Sequence, residues 1–99
     1  MEPRRSESDD LRQRIRAAAE VLKRFGASEV YLFGSAARGT MRMHSDIDFA
    51  VVGLPPQFFF QAMGEASRVA GWPVDMVDLE RSDPFTRYLR HSPELERIA

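Results

Sequence analysis

The sequence predicts an α+β fold in which a small mixed β-sheet is packed with helices. Two long segments repeat apolar residues at three- and four-residue steps, the spacing of an amphipathic helix. Three short runs are rich in β-branched and aromatic residues, which favour strands. Because helical and extended segments alternate along the chain, the helices are expected to pack against the sheet that the strands form.

The first predicted helix begins at Asp9 and ends at Gly26. Its apolar stripe consists of Leu11, Ile15, Ala18, Leu22 and Phe25. The polar segment 1–8 before it is expected to be disordered. Residues 9–99 are therefore predicted to form a single domain.

The predicted strands cover residues 30–33, 46–52 and 72–79. A helix over residues 57–70 connects the second strand to the third. A shorter helix over residues 83–91 is expected to open with an aspartate cap and with Pro84 in its first turn. A last turn is expected from Ser92 to the end of the chain.

Composition excludes several classes of protein. With 99 residues and a formal net charge of -1, the chain suits one domain without a general basic field, so nucleic acid is not expected as a direct ligand. The absence of cysteine excludes disulfides, thiolate metal sites and cysteine nucleophiles. No run reaches membrane-spanning length and the first residues lack the apolar core of a signal peptide, so a cytoplasmic location is expected.

Two aspartates stand on one predicted strand, ten residues after a Gly-Ser pair. Side chains alternate along a strand, so Asp46 and Asp48 share one face. Two carboxylates there repel each other unless a cation lies between them, and Mg²⁺ prefers carboxylate, water and phosphate oxygens. The alternative is a pair of solvated acids at the start of a strand.

The Gly-Ser pair lies where a strand turns into a short helix expected near residues 35–39. Gly34 permits a close approach of phosphate to the backbone, and Ser35 offers a hydroxyl and an amide at the start of the helix. An ordinary strand-to-helix turn would also use these two residues. Arg38 either contacts a phosphate or braces the loop by pairing with a carboxylate, and Gly39 is expected to serve the turn.

A third aspartate lies in the last predicted strand. Asp75 is flanked by apolar residues and is expected to be buried, where an unpaired carboxylate would be costly. We therefore expect it to have a role. Asp78 is three positions further on and faces the opposite side, so it is interpreted as a surface acid at the strand end.

Residues 33–39 and 45–52 together resemble the signature of the polymerase-β-type nucleotidyltransferase superfamily. The pattern G-S-x-A-R-G followed by S-D-I-D is similar to that of its small branch, the minimal nucleotidyltransferases. Residues 74–79 resemble the strand on which this family carries its third carboxylate. The resemblance spans residues 30–79 and implies a nucleotidyltransferase fold for the domain over residues 9–99.

The resemblance also implies an activity. Members transfer a nucleoside monophosphate, here expected to be AMP from ATP, with two magnesium ions at the carboxylates. Asp46, Asp48 and Asp75 are then the metal ligands and catalytic residues, with Asp75 as the base toward the acceptor hydroxyl. Gly34, Ser35 and Arg38 are the residues expected to bind the nucleotide.

Minimal nucleotidyltransferases resemble, as a class, antitoxins whose partner is a helical HEPN-type ribonuclease toxin. Some of them neutralise that toxin by transferring AMP to a tyrosine. The chain after Leu79 is expected to be too short for an acceptor-binding domain, so the acceptor should come from this partner or from self-association. The competing interpretation is a non-catalytic nucleotide-binding module that neutralises its partner by contact.

The C-terminal stretch is expected to supply part of the partner surface. It carries five large apolar residues with arginines around them, a composition that suits an interface core with a charged rim. These residues are Phe85, Tyr88, Leu89, Leu95 and Ile98. The alternative is that they only cover the sheet.

Overall fold

The computed structural model of the chain describes residues 7–42 and 44–99, and the side-chain burial of residues from Asp10 onward, without residue 43. Its elements in chain order are α1 (Glu7–Arg24), β1 (Glu29–Phe33), α2 (Gly34–Arg38), β2 (Ile47–Val52), α3 (Phe59–Ala70), β3 (Val74–Asp78), α4 (Pro84–Arg90) and β4 (Glu96–Arg97). A 3-10 turn over Pro56–Phe58 leads into α3. The order confirms the predicted α+β class.

The two ends of the chain differ from the prediction. Helix α1 begins at Glu7, two residues before the predicted start, and what was predicted for residues 1–6 lies outside the described residues. At the other end the predicted last turn is wrong for two residues, which form β4. This strand is too short and polar to show an alternating pattern, and it forms because the free edge of β1 pairs Tyr31 with Arg97 and Leu32 with Glu96.

The four strands form one sheet in the order β3-β2-β1-β4. Strand β1 pairs antiparallel with β2 and with β4, whereas β2 pairs parallel with β3 through the crossover helix α3. The register places Phe33 opposite Asp48, and Asp48 opposite Asp75. These three residues therefore lie side by side across three neighbouring strands.

One face of the sheet is buried by α1 and α3. Alternate residues of β2 point to it, and Ile47, Phe49 and Val51 are all fully buried in the main core. The same core contains Ile15, Ala18 and Leu22 of the predicted α1 stripe, with Leu11 and Phe25 packed at its margin. Burial of this apolar face, at roughly 25 cal/mol per Å², supplies the main driving force for folding.

The other face is covered in part by α4. Asp83 caps this helix as predicted: its carboxylate accepts a hydrogen bond of 2.8 Å from the Thr86 amide. Ala50, Leu79 and Leu89 form the small buried cluster beneath α4. The cover does not extend over the start of β2, where Asp48 is only half-buried.

The predicted partner surface is therefore smaller than expected. Leu89 is buried, and Leu95 and Ile98 pack against the chain's own core clusters. Phe85 and Tyr88 remain exposed. Within the described residues, none of the helices has the length and apolar character needed to cross a membrane.

Candidate active site

The site is built on the end of β2 that α4 leaves open. Asp46 directly precedes β2 and is exposed, and Asp48 is half-buried within it. Between and after them, Ile47 and Phe49 are fully buried in the core on the other side of the sheet. The strand's alternation therefore separates acidic side chains from apolar ones, as the sequence predicted.

Asp48 lies in a field of like charge. Partial burial raises the pKa of its carboxyl above the ordinary value, and the carboxylates of Asp75 and Asp46 raise it further. The guanidinium of Arg38 opposes them and lowers this pKa. Asp46 and Asp75 are thus close enough to disfavour the charge on Asp48, which is the electrostatic setting that a bound cation relieves.

Asp75 lies next to Asp48 in the sheet, but it is not buried as the sequence predicts. It was expected in a buried strand, and it is exposed. The reason is that β3 lies at the end of the sheet, so the strand is covered less than a central one. What associates Asp75 with the site is its position opposite Asp48 in the parallel register. One of its carboxylate oxygens accepts a hydrogen bond of 3.0 Å from the Met76 amide.

Asp78 does not join this group. It has the same parity along β3 as Met76, which is buried in the main core on the far side of the sheet. Its carboxylate accepts a 2.9 Å hydrogen bond from the Glu80 amide just after the strand. The prediction that Asp75 and Asp78 face opposite sides of the strand is therefore confirmed, whereas Asp78 is half-buried and not a surface acid.

Gly34 brings the backbone against the central carboxylate. Its φ of 67° lies in the left-handed region, which suits glycine. A Cβ atom placed on it would lie 2.5 Å from Oδ2 of Asp48, closer than any ordinary contact. Any other residue here would have to displace the Asp48 carboxylate.

The turn after Gly34 continues into α2, as predicted. Ser35 lies half-buried in its first turn, and its carbonyl accepts a 2.9 Å hydrogen bond from the Thr40 amide. Gly39 ends the helix in the left-handed conformation with φ 73°. The predicted role of Gly39 in the turn is confirmed, whereas phosphate binding by Ser35 stays a prediction.

Of the two roles that the sequence left open for Arg38, bracing has a visible partner. The guanidinium pairs with the Glu94 carboxylate at 3.2 Å and ties α2 to the segment after α4. Both side chains are about half exposed, so the pair contributes little to stability. Contact with a phosphate stays a prediction for Arg38.

Trp72 is a positioning residue that the sequence reasoning missed. Its indole N–H donates a hydrogen bond to the Ser45 carbonyl, in the loop that carries Asp46. Next to it, the Pro73 carbonyl accepts a 2.9 Å hydrogen bond from the Ile47 amide. A partly buried tryptophan needs a partner for its N–H, but the sequence alone does not indicate which carbonyl provides it.

The carboxylates at this end of β2 are the type of ligand that a divalent cation uses, although they do not form a complete metal site by themselves. Within residues 7–42 and 44–99, no three His, Cys, Asp or Glu side chains are gathered closely enough to hold a metal ion by themselves. The carboxylates of Asp46, Asp48 and Asp75 offer oxygen donors, and those of Asp46 and Asp75 repel the charge of Asp48. Mg²⁺ commonly uses one or two protein carboxylates and completes its shell with water and substrate phosphate. The donor set therefore fits magnesium bound together with a nucleotide.

Comparison with known proteins identifies the class. Residues 15–99 match the nucleotidyltransferase domain family. The chain therefore belongs to this family and is a nucleotidyltransferase. A solved structure provisionally described as a minimal nucleotidyltransferase is 28% identical with a TM-score of 0.73, over 98% of this chain and 99% of that one. The fold is thus of the minimal nucleotidyltransferase type.

Two toxin–antitoxin crystal structures match at lower identity and support the fold alone. One is MntA-HpeT with two aspartates replaced by glutamate, at 22% identity and TM-score 0.67, over 82% of this chain and 68% of that one. The other contains AMP-PNP and is 24% identical with TM-score 0.58, over 79% of this chain and 61% of that one. A comparison with curated protein sequences gave no match.

Proposed function

We propose that this nucleotidyltransferase uses Mg²⁺ to transfer AMP from ATP to a hydroxyl group of a partner protein. The observation that carries the proposal is the Asp48–Asp75 pair in the β2–β3 register, with the Gly34 backbone packed against the Asp48 carboxylate. This arrangement combines metal-binding oxygens with a turn that a phosphate can approach. ATP is favoured because one structure with this fold contains AMP-PNP.

Asp46, Asp48 and Asp75 are the residues that would hold the metal. When bound, Mg²⁺ would supply charge neutralisation for the triphosphate and would lower the pKa of the acceptor hydroxyl. Gly34 and Ser35 would present backbone amides and a hydroxyl to the phosphates. Alignment of the two reactants in this way accounts for much of the rate enhancement that a phosphate-transferring enzyme achieves.

The transfer step is a substitution at the α-phosphorus of ATP. The acceptor oxygen forms a bond to this phosphorus, the bond to the β-phosphate oxygen breaks, and pyrophosphate leaves. Asp75 accepts the proton of the acceptor hydroxyl. It is more exposed than Asp48 and is therefore the more accessible of the two carboxylates to an acceptor. The products are the AMP-modified acceptor and pyrophosphate.

The proposed partner is a HEPN-type ribonuclease toxin, which the chain would neutralise as its antitoxin by adding AMP to a tyrosine. Two proteins that share the fold are described as toxin–antitoxin proteins, and this description supports the choice. Transfer to a protein also suits the formal net charge of -1, which offers no general attraction to nucleic acid. We expect the reaction to take place in the cytoplasm, where ATP is available.

Calorimetric titration of ATP, with and without Mg²⁺, tests the nucleotide site. The double variant Asp46→Asn/Asp48→Asn should lose the magnesium-dependent part of ATP binding while keeping the wild-type melting temperature or exceeding it. Asp78→Asn is the matched control, because it removes a carboxylate from the other side of the sheet. Unchanged magnesium-dependent binding in the double variant would contradict the assignment.

The acceptor is tested by incubating the product of the adjacent gene with the chain, ATP and Mg²⁺, followed by mass spectrometry. Addition of one AMP to that protein, lost in Asp48→Asn, supports transfer. A stable complex without added mass would support the alternative of a nucleotide-binding module that acts by contact.

A further inference from the structure

The outer edge of β3 is open for strand pairing. Strand β3 lies at the end of the sheet, and in the described part of the chain no strand pairs with its outer side. The Ile47 amide bonds the Pro73 carbonyl, and the Leu79 amide bonds the Val51 carbonyl. In a parallel ladder this pattern turns the backbone groups of Val74, Met76 and Asp78 outward. An extended peptide could therefore add to the sheet here.

A groove of about 720 Å³ runs along this edge. Phe60 of α3 and Phe85 of α4 both line it together with Met76 and Val77 of β3. The side chains of Phe60 and Phe85 are 75% and 51% exposed, which is unusual for phenylalanine. The groove thus offers apolar contacts beside an unpaired strand edge, the combination that proteins use to bind extended segments.

The groove leads to the reaction centre. The Phe85 ring lies 6.1 Å from the ring of Phe33, which is opposite Asp48 in the sheet. The Asp75 carboxylate accepts the hydrogen bond of the outward-facing Met76 amide, so it lies over the same edge. If the Asp75 side chain turned toward a cation, the Met76 amide would be free to donate a hydrogen bond to the backbone of an incoming segment. A segment paired with β3 would then carry one of its side chains past Asp75.

The charges of the edge decide between two occupants. Pairing with a second copy along this edge would bring the Asp75 and Asp78 carboxylates of both chains, four in all, beside one seam, and like charges that close repel each other. The nearby Arg81 already pairs with Asp83 at 3.6 Å. The edge therefore favours a segment that carries lysine or arginine over a copy of this chain.

We propose that the free edge of β3 is the docking site of the acceptor. The occupant is an extended segment of the partner protein that bears the acceptor hydroxyl, a neighbouring apolar residue seated between Phe60 and Phe85, and a basic residue near the acidic edge. This proposal rests on the proposed transfer to a protein. Docking then depends on backbone pairing with β3 and on contacts with Phe60 and Phe85. It does not require all the apolar residues of the C-terminal stretch.

Hydrogen–deuterium exchange with the adjacent gene product tests docking without relying on activity. Complex formation should slow exchange of the amides of Val74, Met76 and Asp78. Transfer of AMP without slower exchange at these amides would overturn the docking site and leave the proposed function intact. A wild-type chain that neither binds nor modifies this protein would overturn the proposed function and the docking site together.

Variants separate the two elements of the site. Phe60→Ser should lower kcat/KM for transfer by about tenfold or more, as for truncation of a central interface aromatic. Tyr88→Ser removes an equally accessible aromatic outside the groove and should stay within about twofold of the wild type. The reverse order of effects would place docking on the exposed face of α4 instead.

The backbone contribution is tested at the first residue of β3. Val74→Pro removes an outward N–H without removing a bond to β2, and an edge strand tolerates proline there. Val74→Ala keeps the N–H and is the matched control for lost packing. We expect Val74→Pro to have a lower kcat/KM than Val74→Ala by about threefold to tenfold, with equal Mg·ATP affinity. Equal kcat/KM in the two variants would overturn strand pairing.

Discussion

The two faces of β2 show how one strand serves stability and chemistry at once. On the face toward α1 and α3, Ile47, Phe49 and Val51 have no exposed surface. On the other face Asp48 is half-buried beside further carboxylates, and Asp46, directly before the strand, is exposed. The apolar face stabilises the fold. The fold in turn keeps the carboxylates of the acidic face close together despite their repulsion.

The site tolerates its concentrated negative charge because burial of the opposite, apolar face supplies the free energy of folding. Alternation along the strand keeps the two functions one residue apart, so neighbouring substitutions should have opposite consequences. Pairs of variants that differ only in the face of the strand, or only in how closely the backbone approaches the site, separate the two functions.

The largest effect is expected on transfer, from the two acids of β3. Asp75→Asn should lower kcat by about a hundredfold or more, because it removes the proposed base. It should cost little stability, since the side chain is exposed. Asp78→Asn should keep kcat within about twofold, although KM can respond because Asp78 borders the groove. Single-turnover kinetics with radiolabelled ATP measure both, and a larger fall in Asp78→Asn would contradict the assigned register.

The next effect is on stability and compares adjacent residues of β2. Phe49→Ala should lower the free energy of unfolding by about 3–5 kcal/mol, because it leaves a cavity in the main core. Asp48→Asn should leave this free energy unchanged or raise it, because it removes a charge from a repulsive cluster. Urea unfolding measures both values. A similar fall in the free energy of unfolding in the two variants would show that both faces of β2 contribute to stability.

Two glycines isolate the close approach at the site. Gly34 and Gly39 both adopt a positive φ, so replacing either with alanine should cost about 1–2 kcal/mol of stability. Only at Gly34 would the new Cβ collide with Asp48, since nothing lies within 4 Å of the corresponding position at Gly39. Calorimetry should therefore find weaker Mg·ATP binding in Gly34→Ala and unchanged binding in Gly39→Ala. Equal nucleotide affinity in the two variants would argue against the Gly34 turn as part of the site.

The smallest effect is expected in the pH dependence of stability. Because the folded-state pKa of Asp48 is raised above 3.8, the folded state binds the proton more tightly than the unfolded chain. The resulting stabilisation is fully present below the ordinary pKa and is lost as pH rises through the raised pKa. Asp83 behaves in the opposite sense: its pKa is lowered by the Thr86 amide, so its contribution is lost as pH falls through the lowered pKa.

Urea unfolding from about pH 3 to pH 7 resolves this contribution as the difference between the wild type and Asp48→Asn. The difference should favour the wild type most at the acid end. Magnesium-dependent ATP binding should weaken as the pH falls through the same interval, because a protonated Asp48 binds a cation poorly. A difference that is constant with pH would show that Asp48 does not titrate abnormally in the folded chain.

The elements and the local geometry of the turn follow from short stretches of sequence. The three- and four-residue spacing of α1, the turn at Gly34 and the alternation that separates Asp48 from Ile47 and Phe49 depend on residues that are close in the chain. Each was predicted and is found in the structure, since local dihedral preferences and strand alternation decide it. The cap of α4 at Asp83 is local in the same sense.

Which elements are neighbours depends on the packing of the whole chain. That Asp75 lies opposite Asp48, that β3 is an edge strand and leaves Asp75 exposed, and that Trp72 holds the Ser45 carbonyl all depend on strand order and register. Strand β4 likewise exists because β1 has a free edge, and Phe85 reaches the site because α4 packs back over the sheet. The physical reason is that pairing between distant segments depends on how all the apolar faces are buried together, which no short stretch of sequence contains.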